Sequence, residues 1–386
     1  MSHSPVPRGG GRRSGTTPAR RAVTSTVTST VTAVAAALLL GACAPVASPS
    51  ASAPATPTAI PSVSDVEPLA DPRSWTGVVD IALPDADVAP VADDPTPRLP
   101  VTVTDAQGTD VTVTDVSRIL ALDVHGTLAR TVFELGLGER VVGRDTSSQF
   151  TAIADRPLVT GNGHELNAEA ILALDPTVVL TDTSLGPWDV VLQLRDAGIP
   201  VVVTDSHRGL DNLAPLSSQV ADALGVPREG RRLGERITAE AEATREAIAR
   251  LAPARLTDRL RTVFLYVRGS SGVYYMFGQD SGADSLVEAV GGYDVSAEIG
   301  WTGMRPLTDE GLVAAQPDVV LMMSKGLDSV GGVDGLLERF PALAQTPAGD
   351  NERIVAMDDD QVLSYGPRTA DVLNALAIAL YAPDSL

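Results

Sequence analysis

The chain has 386 residues, 44% of them hydrophobic and 20% charged, enough to bury one or two sizeable cores. Its formal net charge is -20, its single lysine is Lys325, and no Lys/Arg cluster in the folded part supplies the basic face that a nucleic-acid partner needs. Its single cysteine, Cys43, excludes an internal disulfide framework and a zinc site built on paired cysteines.

Arg8, Arg12, Arg13, Arg20 and Arg21 precede an apolar Ala/Val/Leu-rich run that ends LLLGACAP, the pattern of an export signal. Residues 1–42 therefore read as a signal peptide. Residues 43–98 read as a poorly ordered tether. Up to about residue 70 it is Ala/Pro/Ser/Thr-rich and without periodicity, and from 71 it is Pro/Asp-rich with no pattern that assigns it.

Order is expected from LPVTVTDAQGTDVTVTD (99–115), where alternating Val and Thr around Asp105-Ala106-Gln107-Gly108 predict a β-hairpin. RILALD, RVVG, TVVLTD and IPVVVTD then read as buried strands. Helical patterns separate them near 127–136, 168–174, 187–197 and 212–224. Such alternation predicts an α/β layer with a largely parallel sheet. Between Glu229 and Leu251, Leu233, Ile237, Ala241, Ile248 and Leu251 keep helical spacing in a Glu/Arg-rich background. A helix of that extent is about 35 Å long, enough to cross a lobe. After Pro253 a second α/β pattern opens with RTVFLYVRG.

The halves echo each other. NAEAILALDPTVVLTD (167–182) aligns without a gap on TDEGLVAAQPDVVLMM (308–323), placing Glu169 on Glu310 and Pro176 on Pro317. The expected fold is α/β: two Rossmann-like lobes with central, mostly parallel sheets, joined by one long helix, with a ligand cleft between them. The lobes span 99–228 and 253–386, and the connecting helix 229–252.

Three groups of residues carry candidate chemistry. His164 stands among glycines in GNGHEL, just ahead of a helix that Asn167 caps, and looks placed to meet a ligand. Tyr266 and Arg268 are two apart at a strand end, so their side chains share one side. Glu169 and Glu310 each stand second in a helix, where an acid suits the positive end; that accounts for each alone but not for their equivalence. His125, in LDVHGTL, ends a strand at a cleft position, whereas His207 reads as a loop residue. No G-x-S-x-G, H-E-x-x-H or P-loop motif occurs, and GNGHEL lacks the third glycine of a dinucleotide loop, so no enzyme is expected.

LGAC at Cys43, VVGRDTSS (141–148), LVTGNGHELNAEAILALDP (158–176), LYVRG (265–269) and MDDDQVLSYGPRT (357–369) carry a likeness. With the two lobes and the spanning helix, the chain resembles substrate-binding lipoproteins of ABC importers for siderophores, cobalamin and heme. The likeness is strongest to the heme-binding members of high-GC Gram-positive bacteria, over roughly residues 99–382. It implies a monomer lipidated at Cys43 and anchored to the extracytoplasmic face of the membrane. It implies heme as the transported ligand, its iron held by His164 and Tyr266 with Arg268 in support. It also implies that Glu169 and Glu310 dock on an importer permease.

The local chemistry suits that set. A phenol titrates near 10, and ionising it at pH 7 costs roughly 4 kcal/mol, which ferric iron and a nearby guanidinium offset by charge and hydrogen bonding. The propionates need donors, for which His125, Arg144, Ser147, Ser148, Arg305 and Arg368 are candidates. Trp188, Tyr275, Trp301 and Met304 could wall the macrocycle. His125 could also replace or assist His164. The alternatives are a ferric siderophore, cobalamin, or a divalent metal ion held by His125, His164 and His207.

Overall fold

The computed structural model describes residues 59–161 and 163–386. The signal peptide, the Cys43 lipidation site and the first part of the tether lie outside the described residues. The first half contains β1 (Val78–Ile81), β2 (Val101–Thr104), β3 (Asp110–Val113), β4 (Ile119–Leu122), α1 (Thr127–Glu134), β5 (Thr160–Gly161) and β6 (Glu165–Leu166). It continues with α2 (Ala168–Ala173), β7 (Val178–Thr181), α3 (Trp188–Asp196), β8 (Val201–Val203), α4 (Leu213–Ala223) and α5 (Pro227–Leu251). The second half holds β9 (Arg261–Arg268), β10 (Val273–Phe277), α6 (Ala283–Ala289), β11 (Tyr293–Asp294), α7 (Val295–Glu298), β12 (Met304–Pro306) and α8 (Asp309–Ala315). It closes with β13 (Val319–Met323), α9 (Ser324–Asp328), α10 (Gly332–Arg339), α11 (Pro347–Asp350), β14 (Ile354–Met357) and α12 (Thr369–Tyr381).

In the first lobe β4, β7 and β8 form a parallel sheet in that order, buried along their whole length, which is why they read as continuous apolar runs. RVVG, expected as a strand, makes only the bridge Ile119↔Val141 at the edge of this sheet. The hairpin forms as predicted, with Val101 opposite Val113 and Asp105 accepting from the Gln107 and Thr109 amides at 2.9 Å each. In the second lobe the order is β1-β14-β13-β9-β10-β12, with β11 also on β9. Only β10 and β12 run antiparallel to their neighbours.

The repeat survives in backbone detail. Asn167 caps α2 by accepting from the Ala170 amide at 3.0 Å, and Thr308 caps α8 by accepting from Gly311 at 3.1 Å. Both segments leave their helices through a left-handed residue, Asp175 at φ 46° and Gln316 at φ 43°, followed by a buried proline.

α5 begins at Pro227, two residues before the expected start. Its first half lies so close on α4 that a Cβ on Gly230 would stand 2.4 Å from Ala221 Cβ. Its far end reaches the second lobe, where Ile248 and Ala252 close over Gly291.

Residues 59–98 correct the expectation of a tether poorly ordered to residue 98. Val63 donates its amide to Asn374, Leu69 to the Tyr381 carbonyl, and β1 adds itself in parallel to the sheet edge at β14. Near residue 84 the chain crosses to the first lobe. There Arg130 donates to the Ala86 and Asp87 carbonyls at 3.0 and 2.8 Å, and Val91 donates to Glu134 O at 2.8 Å. Apart from one 3-10 turn at Pro72–Ser74, which Asp71 caps, the segment makes no helix; it borrows hydrogen bonds from a sheet edge and a buried arginine. Two connections therefore join the lobes, α5 and this strap.

Candidate ligand cleft

His164 stands on the turn between β5 and β6, whose ladder pairs Gly161 with Glu165. Gly163 takes φ 86°, a conformation that glycine adopts without strain and that presents the exposed imidazole beyond the sheet. The second lobe faces it. Partial burial, then the charge of Arg268, hold the His164 pKa below the usual 6.5, with Asp359 opposing and Lys325 adding to the effect. The ring is accordingly neutral, with a nitrogen lone pair to offer.

On β9, Leu265 and Val267 point into the second core, which leaves Tyr266 and Arg268 on the other face, as the two-residue spacing predicts. The register sets Tyr275 opposite Tyr266 and Phe277 opposite Phe264. The Phe277 ring stacks on Tyr266 at 6.0 Å and on Phe264 at 5.2 Å, so this side of the sheet is aromatic. The Arg268 guanidinium lies over the Tyr266 ring, 4.5 Å from its centroid, and does not hydrogen-bond the phenol oxygen. It donates to the Val267 carbonyl at 2.8 Å and to the Asp359 carboxylate. Asp359 also accepts from the Lys325 amide at 3.2 Å. Its place in an Asp358-Asp359-Asp360 run concealed this role, because no local pattern says which of the three meets Arg268.

A cavity of about 410 Å³ lies between the lobes, lined by His125, Ser147, Gln149, Lys325, Gln361 and Arg368 among others, with Asp85 of the strap on one side. That volume falls in the usual range for ligand pockets. Of the expected donors, His125, Ser147 and Arg368 are here, Arg368 already paired with Asp371 at 3.0 Å. Arg144, Ser148 and Arg305 are not. Arg144 turns to the Asp145 and Ser148 carbonyls at 3.4 Å, Ser148 is buried, and Arg305 bonds Thr302 on an exposed strand. Lys325, which sequence reasoning passed over, lines the cavity within electrostatic reach of His164, and its ammonium makes no ion pair among the described residues.

His125 stands on the turn between β4 and α1 and lines the cavity. Burial, then the charge of Arg208, lower its pKa to about 3, and it too is neutral. Beneath it Arg208, almost fully buried, donates to Asp182 at 2.6 Å and to Asp123 at 3.3 Å. Asp145 accepts from the Asp123, Ser147 and Ser148 amides at 3.0, 2.9 and 2.8 Å. Burial and the nearby Asp123 push Asp145 up to about 7 and raise Asp182 as well. This network ties together the three loops that form the floor.

The remaining candidates divide. Trp301 donates to the Met276 carbonyl at 2.9 Å and packs in the second lobe, and Trp188 packs in the first; both are structural. Met304 is exposed on β12 opposite Phe277, beside the aromatic face. His207 bonds Asp211 at 3.1 Å, and among the described residues no three His, Cys, Asp or Glu side chains are placed to share a metal ion. Glu169 and Glu310 are exposed on their helices.

Two α/β lobes facing each other across a cavity make a binding protein of the two-lobed kind. The chain matches the periplasmic binding protein family over residues 124–361 and belongs to that family. It is similar to the heme binding protein HmuT, with 44% identity and a TM-score of 0.76, covering 81% of this chain and 99% of that one. Structures of HmuT with an arginine, a histidine or a tyrosine replaced by alanine match comparably. The apo periplasmic heme-binding protein RhuT from Roseiflexus sp. RS-1 is 39% identical at a TM-score of 0.62, covering 70% of this chain and 99% of that one. YvrC of Bacillus subtilis, an uncharacterized ABC transporter substrate-binding lipoprotein, is 24% identical over 290 residues, 74% of this chain and 87% of that relative.

Proposed function

We propose that the protein captures ferric heme outside the cell and delivers it unchanged to an ABC importer. What supports this reading is that His164 of one lobe lies within electrostatic reach of Arg268 of the other, whose guanidinium covers the Tyr266 ring. Neutral imidazole and phenolate are a sound axial pair for ferric iron, and the iron supplies the charge that drives the phenol to ionise. The tyrosine and arginine replaced in the HmuT variants also stand two apart, and the histidine precedes that tyrosine by 99 residues, against 102 here.

Tyr275, Phe277 and Met304 offer an apolar wall for the macrocycle, while Lys325, His125 and Ser147 offer donors for the propionates. Arg268, held over the Tyr266 ring by Asp359, keeps a positive charge beside the developing phenolate. A ferric siderophore or cobalamin brings its own metal ligands and would leave the His164–Tyr266 pair without a role. Lipidation at Cys43 would tether the monomer to the outer face of the membrane, with Glu169 and Glu310 docking on the two permease subunits.

The test is an absorption titration of the chain from Ala44 onward with ferric heme, beside His164→Ala and Tyr266→Ala. The expected result is a saturating Soret change near one equivalent, altered in both variants. No Soret change in the unmutated protein removes heme as the ligand.

A further inference from the structure

Eight large apolar side chains are exposed among the described residues, and just one pair of them is related by the internal repeat. Leu172 on α2 is 42% exposed, and Val313 on α8 is 48% exposed. Each stands three residues after the glutamate of its helix, so Glu169 with Leu172, and Glu310 with Val313, share a helix face. Folding does not require this. Ile171 and Leu312, both buried, already hold each helix to its lobe, and the next position gains nothing for stability by being Leu or Val. Both helices follow closely in the chain on residues of the candidate site: α2 starts four residues after His164, and α8 starts three residues after β12 at the edge of the aromatic face.

We propose that Leu172 and Val313 are the apolar anchors of the surface that docks on the importer's membrane-embedded subunits, with Glu169 and Glu310 as its charged rim. This rests on the docking reading above and names the contacts that hold the complex. Rim charges steer encounter and set register, whereas affinity comes from apolar side chains that lose water at the contact. A patch presented twice in the same form fits a partner with two equivalent halves, each offering a cation beside an apolar hollow.

The test uses the processed, heme-loaded chain and its cognate importer reconstituted in phospholipid vesicles, with importer affinity and stimulation of ATP hydrolysis as readouts. The variants are Leu172→Ser with Val313→Ser, Glu169→Ala with Glu310→Ala, and Leu256→Ser, an exposed apolar position outside the patches. The apolar double variant should bind heme normally and lose at least tenfold in importer affinity. The glutamate pair should slow association and reduce its salt dependence, and Leu256→Ser should change nothing. Unaltered affinity in the apolar double variant, with impairment in the glutamate pair, overturns the anchors and leaves the docking reading standing. Normal behaviour of both pairs removes the docking reading together with the anchors. A loss with Leu256→Ser as large as with the apolar pair also overturns the proposal, because the effect would then be general surface hydrophobicity.

Discussion

His125 and Asp145, both at the cavity floor, titrate in opposite senses. His125 takes up a proton near 6.5 when unfolded but only near 3 when folded, so its contribution to stability is lost as pH falls through that window. Asp145 keeps its proton to about 7 when folded and loses it near 3.8 when unfolded, so its contribution is full below 3.8 and declines as pH rises to 7. Urea unfolding between pH 4 and 7 should therefore show less acid sensitivity in His125→Gln and less loss at rising pH in Asp145→Asn. An unchanged pH profile in either variant would rule out that group as the source. Lys325 allows a separate test. Lys325→Ala should weaken heme binding by about 0.5–1 kcal/mol, roughly two- to fivefold, without lowering stability, because the side chain is exposed. Arg305→Ala, whose guanidinium is taken up by Thr302 on an exposed strand, should leave the Soret titration unchanged.

At the scale of elements, the long helix shows how far local pattern reaches. The apolar spacing of Leu233, Ile237 and Ile248 announces a helix, and the same residues are its buried face. What spacing does not show is that Gly230 and Gly234 are the points where α4 comes closest. Gly230→Val should cost about 1–3 kcal/mol through overpacking against Ala221, measured as a shift in the urea midpoint. The duplicated helices were legible down to their caps, because capping is a contact across three residues. RVVG was misread because an apolar run becomes a strand only where a neighbour offers a ladder, and here one bridge is all the edge provides. VYYMF, the antiparallel strand β10, forms a hairpin with β9 across Gly269–Gly272, and its unbroken run of apolar and aromatic residues carries no polar alternation to announce it.

For the molecule as a whole, the strap is the main correction and alters how the lobes are joined. It hangs on buried Glu134, which accepts from Arg130 at 2.9 Å, from Arg236 at 2.9 Å and from the Ala89 amide at 3.1 Å. Glu134→Ala leaves Arg130 buried beside no carboxylate and should lower the unfolding free energy by about 3–5 kcal/mol. A loss below 1 kcal/mol in equilibrium denaturation would show that the strap adds little. With α5 and the strap both crossing between lobes, wide hinge opening is disfavoured, and ligand entry should need only small motions.

The sequence by itself determined the two α/β layers, the spanning helix, the paired capped glutamates and the shared side of Tyr266 and Arg268. All of these follow from periodicity and capping, which act within a few residues. Only the tertiary structure decided that Asp359, 91 residues away, holds Arg268 over the ring, that Lys325 comes within electrostatic reach of His164, and that Leu83 and Gln361, 278 residues apart, fasten the strap. Those contacts depend on where the sheets bring distant segments together, and a polar side chain in a loop carries no periodicity to reveal its partner.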